Sequence, residues 1–180
     1  MRFRLSVLVP FLTLALAGCY VSKQELIAPA DADYPFADGA HFDAFIPVGK
    51  NWTPKKTGRT LRRKGDHYVY GEDGAKEPST PFLLKRVGKN RYIVQLDDSK
   101  NPARVSEHYY ELFEFDGTTA IQYQGLCPAW PIFVQQGLVD KIEDTATPRC
   151  IFSDFAKLTK ALEMAAKNAA PEGKYVLTKP

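Results

Sequence analysis

The chain has 180 residues, enough for one domain at the usual figure of roughly 100 to 200 residues each. Its composition, 44% hydrophobic, 12% aromatic and 25% charged, is that of a globular protein and excludes collagen-like, coiled-coil and wholly disordered chains. A formal charge of +3 is too small for a nucleic-acid binder. No internal run reaches the roughly 18 apolar residues a membrane-spanning helix needs.

The amino terminus reads as an export signal. Arg2 and Arg4 make a short positive start, and Leu5 to Leu16 are apolar apart from Ser6, Pro10 and Thr13. At about 12 residues this stretch is a signal core rather than a span. Leu16, Ala17, Gly18 and Cys19 follow, and they resemble the lipobox of bacterial lipoproteins, a Leu, two small residues and a Cys. Small residues admit the backbone to a peptidase, and the Cys thiolate attacks a diacylglycerol donor.

The resemblance covers residues 1 to 19 alone. It implies that residues 1–18 are removed and that Cys19 becomes the first mature residue, carrying three acyl chains such as palmitate. At about 0.8 kcal/mol per buried methylene, such an anchor is permanent. Tyr20 follows the Cys where Asp would mark inner-membrane retention, so in a two-membrane cell the resemblance implies the periplasmic face of the outer membrane. Arg2 and Arg4 leave with the signal, so 24 basic residues become 22 against 21 acids, a net charge of +1.

With Cys19 lipidated, Cys127 and Cys150 remain as an even pair. In an oxidising compartment a disulfide is the default, closing a loop at roughly 3 kcal/mol of stabilisation; two buried thiols or one reactive thiol are the alternatives. Neither Cys has a second Cys or His beside it at metal-ligand spacing.

Residues 20–33 show no sustained periodicity, and with the anchor they read as a tether over 19–37, followed by one β-rich domain over 38–180. Fully extended, fourteen such residues would reach at most about 50 Å. From residue 40 the chain turns to short runs of Phe, Tyr, Val and Ile separated by Gly, Asp, Asn and Pro, the pattern of strands. Phe42 to Ile46 places Phe42, Ala44 and Ile46 on one face. Three hairpins follow, Leu61–Tyr70, Leu84–Val94 and Leu112–Tyr123, the last with Asp116 and Gly117 at a predicted type I′ turn. The resulting meander carries Val94, Leu96, Leu112 and Ile121 as alternating apolar positions that must be buried.

The predicted cover is a helix. Ser153 or Asp154 supplies its N-cap; Phe155, Leu158, Leu162, Ala165, Ala166 and Ala169 recur at helical spacing; Pro171 and Gly173 end it. Lys174–Leu177 is a final strand candidate. The fold class is therefore mostly β, an antiparallel meander closed as a sandwich or partly open barrel and packed with one C-terminal helix.

No nucleophile elbow, zinc-protease helix, phosphate loop or Cys-x-x-Cys is present, so no cofactor is expected. His41 and Asp43 share a strand face, but two ligands do not make a metal site. His67 and His108 read as surface or hydrogen-bonded histidines. Glu107 and Glu111 share a strand face yet stand about 13 Å apart at the backbone, too far for a glycosidase pair at roughly 5 to 9.5 Å between carboxyls. The acidic run from Asp97 to Asn101 has Pro102 where a calcium loop needs Gly.

The most asymmetric feature is basic. Lys55, Lys56, Arg59, Arg62, Arg63 and Lys64 lie within eleven residues that hold no acid, leaving the rest of the exported chain at about -5. Beside a membrane such a segment attracts lipid phosphates or peptidoglycan carboxylates, unless it serves only as a solvated edge. Trp52 and Trp130 are the candidate partner contacts, with half-buried packing as the plainer role.

The sequence thus favours a non-enzymatic, lipid-anchored envelope protein that binds or scaffolds through its basic segment. An alternative is a small-ligand carrier in which the meander closes around an apolar cavity; a lipocalin-like carrier calls for Gly-x-Trp, and Gly49 to Trp52 has one residue too many. An envelope hydrolase is third.

Overall fold

The computed structural model describes residues 20–74, 80–97, 107–124, 127, 131–143, 148–167 and 170–180. Its elements are β1 (Tyr20–Ser22), β2 (His41–Val48), β3 (Asn51–Pro54), β4 (Arg59–Lys64), β5 (His67–Glu72), β6 (Phe82–Arg86), β7 (Arg91–Asp97), β8 (His108–Phe115), β9 (Thr119–Gln124), α1 (Pro131–Gln135), β10 (Lys141–Glu143), β11 (Arg149–Ile151), α2 (Phe155–Ala166) and β12 (Gly173–Lys179).

Strand β7 shows how the layers are arranged. Side chains alternate along a strand, and here Tyr92 and Val94 enter one apolar cluster while Ile93 enters another. A strand buried on both faces is a wall between two cores. On its inner side the sheet closes on itself in the order β8, β7, β6, β5, β4, β2, β12, β9, with β9 returning to β8 through pairs from Glu111↔Gln124 to Phe115↔Ala120. These eight strands form a closed, antiparallel barrel, and closure removes the exposed edges an open sheet would present.

The second core lies outside the barrel. There Leu83, Ile93, Tyr110 and Leu112 meet Leu158, Ala161, Leu162 and Ala165 of α2. The helix begins where Asp154 accepts from the Lys157 amide at 2.8 Å, and each fully buried Leu contributes roughly 1.5 to 3 kcal/mol. Ala169 lies outside the described residues. Strand β8 also carries β1 on its first residues, through Val21↔Tyr109 and Ser22↔His108, and β1 continues in parallel to β11 and then β10. The Cys127–Cys150 disulfide forms within this layer, with Cα atoms 5.4 Å apart.

The mostly-β class with a C-terminal helix is what the patterning predicts, and closure takes the form of a full barrel. Val94, Leu96, Leu112 and Ile121 do not share one face, however: Val94 and Leu96 point into the barrel and Leu112 to the helix. The apolar positions of β7 and β8 serve two cores at once.

The segment expected as a tether is built into the fold instead. Tyr20, Val21, Ser22 and Ile27 are buried. The amides of Leu26 and Ile27 donate to Gln95 Oε1 at 3.0 and 2.8 Å, and Gln95 Nε2 returns a bond to the Ile27 carbonyl at 3.2 Å. The ordered domain therefore includes residues 20–37. A three-residue strand and an irregular run have no period to reveal them; partners distant in sequence hold them in place.

Each predicted hairpin forms. In the first, Gly65 has φ 66° and Lys64 pairs with His67, the two-residue loop with glycine leading that suits strand twist. The β8–β9 turn is not type I′, because Asp116 does not take positive φ and only Gly117 does, at 104°. Asp116 Oδ1 accepts from the amides of Thr118 and Thr119 at 2.8 and 2.7 Å, a side-chain-built turn.

Candidate functional site: a cavity inside the barrel

The barrel interior is lined with large apolar side chains but is not filled by them. A cavity of about 560 Å³ runs among Phe42, Leu84, Tyr92, Val94, Phe113 and Tyr175. Its space originates in register. Tyr175 of β12 is paired with Ala44 on one neighbouring strand and Ala120 on the other, so one ring stands between two methyl groups. The next inward position on β12 is Gly173, where a Cβ would lie 2.7 Å from Gln122 Oε1 and 3.2 Å from the Tyr175 ring. Glycine at that place leaves room for both side chains.

One end of the cavity has a floor. Phe36 packs on Phe42, Tyr68 and Phe115 with ring centroids 5.3, 6.0 and 4.8 Å away. Its amide donates to the Tyr68 hydroxyl at 3.0 Å, and that hydroxyl donates to the Phe36 carbonyl at 2.7 Å. Tyr34 donates to the carbonyl of Asp66, in the β4–β5 turn, at 2.6 Å. Ile46, which is 38% exposed, and the exposed Lys55 also line the cavity.

A polar chain runs along the wall. Arg59 Nη1 donates to the Tyr175 hydroxyl at 3.0 Å, Tyr175 donates to Gln122 Oε1 at 2.7 Å, and Gln122 Nε2 donates to Glu111 Oε2 at 2.9 Å. Arg59 also lies over the rings of Tyr70 and Tyr175, at 4.5 and 5.0 Å, and pairs with Glu72 at 3.6 Å. Glu111 is only 6% exposed. Burial pushes its carboxyl up to about 7, with the Gln122 bond opposing and the neighbouring Glu172 charge adding to the rise. Burial likewise raises Glu172, and it lifts the Tyr175 phenol to about 12.

The structure draws one residue of the basic segment into the cavity wall and leaves the others at the surface. Arg59 faces the cavity, and Arg63 on the same face of β4 lies 3.7 Å over the Tyr34 ring. Lys55, Lys56, Arg62, Arg63 and Lys64 are exposed, so Arg59 alone of the six is drawn into the wall. Trp52 is half-buried on β3, opposite Pro47. Trp130, Cys19 and the acidic run beyond Asp97 lie outside the described residues.

His41 bonds to Thr178 Oγ1 and Asp73 Oδ2, at 2.9 and 3.3 Å. His67 bonds to Asp66 at 2.6 Å. Glu107 is engaged by Arg149 at 2.5 Å while Glu111 faces the cavity, so the two carboxylates occupy separate environments. Among the described residues no group of three or more His, Cys, Asp or Glu is placed to hold a metal ion.

Sequence reasoning named Arg59 and Glu111 for other purposes and missed Gln122 and Tyr175. The available signal was an acid inside the apolar run Tyr109 to Phe113, a position that calls for a buried partner. Comparison with family models, curated proteins and solved structures gives no significant match.

Proposed function

We propose that this chain binds a small, largely apolar ligand inside its barrel and acts as a carrier or sensor of that ligand, without catalysing a reaction. The observation that carries this reading is the cavity itself. Its volume of about 560 Å³ falls in the range of small-molecule sites, about 300 to 1,000 Å³, and its mostly apolar wall with a few convergent polar groups is their usual chemistry. The inward direction of Arg59 favours this reading over surface scaffolding, because it commits one cation of the proposed anionic-surface patch to the cavity wall.

The address expected from residues 16–19 extends the proposal. An acylated Cys19 would stand next to Tyr20, which is wholly buried in β1, so no free spacer separates the anchor from the folded domain. The barrel would work at the membrane surface, where apolar ligands are found. Native mass spectrometry of the protein released from its own membrane tests the proposal. One bound small molecule per chain supports it; a chain that carries none and takes up no apolar fluorophore rejects it.

A further inference from the structure

Strand β2 begins at the floor, where Phe42 packs on Phe36, and runs to the opposite end of the barrel. There Ile46 to Val48 pair only with β3, in a hairpin closed by Gly49 and Lys50, and β3 has no other strand partner among the described residues. Ile46 and Val48 share one face of β2 and are 38% and 55% exposed; with Val134 they are the exposed large hydrophobics among the described residues. On the other face the exposed Pro47 stands opposite the half-buried Trp52. The hairpin is therefore apolar on both faces where it leaves the barrel.

Its charge has one sign. From Ala44 to Gly58 the chain carries Lys50, Lys55 and Lys56 and no acid; the next acid back, Asp43, lies where β2 still pairs with β12. All three lysines are exposed, and among the described residues none forms an ion pair. Elsewhere Lys85, Lys141 and Lys157 each reach a carboxylate, at 3.8, 3.2 and 2.6 Å. An apolar tip with a positive rim suits the headgroup layer of an anionic membrane, where buried apolar area and charge act together and each Lys adds about fivefold to binding. A second copy pairing along the free β3 edge is the competing occupant. It would set lysines against lysines, and Pro54 lacks the amide that an added strand needs.

We propose that the β2–β3 hairpin docks on the anionic surface of a lipid bilayer, with Ile46, Val48 and Trp52 entering the headgroup layer and Lys50, Lys55 and Lys56 meeting lipid phosphates. Ile46 and Lys55 also line the cavity, so docking turns the end opposite the floor toward lipid. The docking stands on the hairpin surface and is independent of what the cavity holds.

Trp130→Phe leaves Trp52 as the one tryptophan of the full chain. This protein is mixed with vesicles of phosphatidylcholine brominated in its acyl chains, alone or together with phosphatidylglycerol. Quenching reads contact at Trp52 itself, whatever the amino terminus contributes to membrane attachment. On the anionic vesicles Trp52 emission should shift to the blue and be quenched, and on the neutral ones it should do neither. Quenching should be lost in Val48→Asp and when Lys50, Lys55 and Lys56 are all changed to Gln, in chains that melt as the parent does. If Trp130→Phe does not melt cooperatively, the quenching that Trp52→Phe removes from the native chain reads the same contact. Equal quenching on both vesicles, none on either, or quenching unchanged in both variants overturns the proposal. A chain that lipid leaves unquenched and that Val48→Asp converts from dimer to monomer also overturns it, and assigns the hairpin to a second copy.

Discussion

The Gln122 side-chain amide donates to the Glu111 carboxylate at 2.9 Å, joining β9 to β8 inside the barrel. Through Gln122 a buried acid is connected to Tyr175 and, beyond it, to Arg59. Four residues from four strands, β4, β8, β9 and β12, thus form one polar unit on an apolar lining.

Stability should depend on pH through Glu111. Its folded value is raised to about 7 from an ordinary 4.5, so between those values the folded state holds a proton that the unfolded chain releases. Stability is therefore greatest at the acid side of this window and falls as pH rises through about 7, by on the order of 3 kcal/mol. Glu111→Gln should flatten this fall. Urea unfolding of both proteins at several pH values measures it; identical slopes contradict the assignment.

Asp116 acts with the opposite sign. Amides of Thr118 and Thr119 hold its carboxyl below the usual aspartate range, so its contribution is present above that range and is lost as pH falls through the lowered value. Asp116→Ala should destabilise the protein at neutral pH and remove that part of its acid sensitivity. Acid titration followed by circular dichroism of the two proteins checks this.

Reducing the Cys127–Cys150 bond, which spans 23 positions, should cost roughly 3 kcal/mol by the chain-entropy estimate. The bridge lies in the outer core with Phe152 and Leu158, so the helix layer should loosen first. Hydrogen exchange with and without reductant should show protection lost in α2 before the barrel strands. Loss beginning in β7 would contradict this order.

Gly173→Ala should retain the fold yet disturb the site. The added methyl meets the far end of the Gln122 side chain at 2.7 Å, and a flexible amide can move aside. The bond to Glu111 then breaks, so the pH dependence between about 4.5 and 7 should change while unfolding stays cooperative. A gross loss of structure would show that the glycine has a larger role.

Much of the strand architecture is legible in the sequence because β-rich runs and turn residues act locally. The hairpins around Gly65, the 87–90 loop and Asp116 can be read that way, as can α2 from its apolar spacing and its Asp154 cap. Closure is not legible, since the pairing of β12 with both β2 and β9 joins residues far apart in the chain. Nor is the burial of Tyr20 and Ile27, which depends on Gln95 and β8. The cavity is least legible of all: it follows from Ala44 and Ala120 flanking Tyr175, a juxtaposition created only by closure.

The central claim is that the barrel holds a ligand, and a cavity-filling substitution tests it most directly. Ala44 is buried and lines the cavity, so Ala44→Trp should occupy the space that a ligand would take. Nile red titrations of the native chain and this variant, with thermal unfolding of each, make the comparison. The account predicts saturable binding at one site in the native chain and its loss in a variant that still melts cooperatively. Undiminished binding by the folded variant would contradict it.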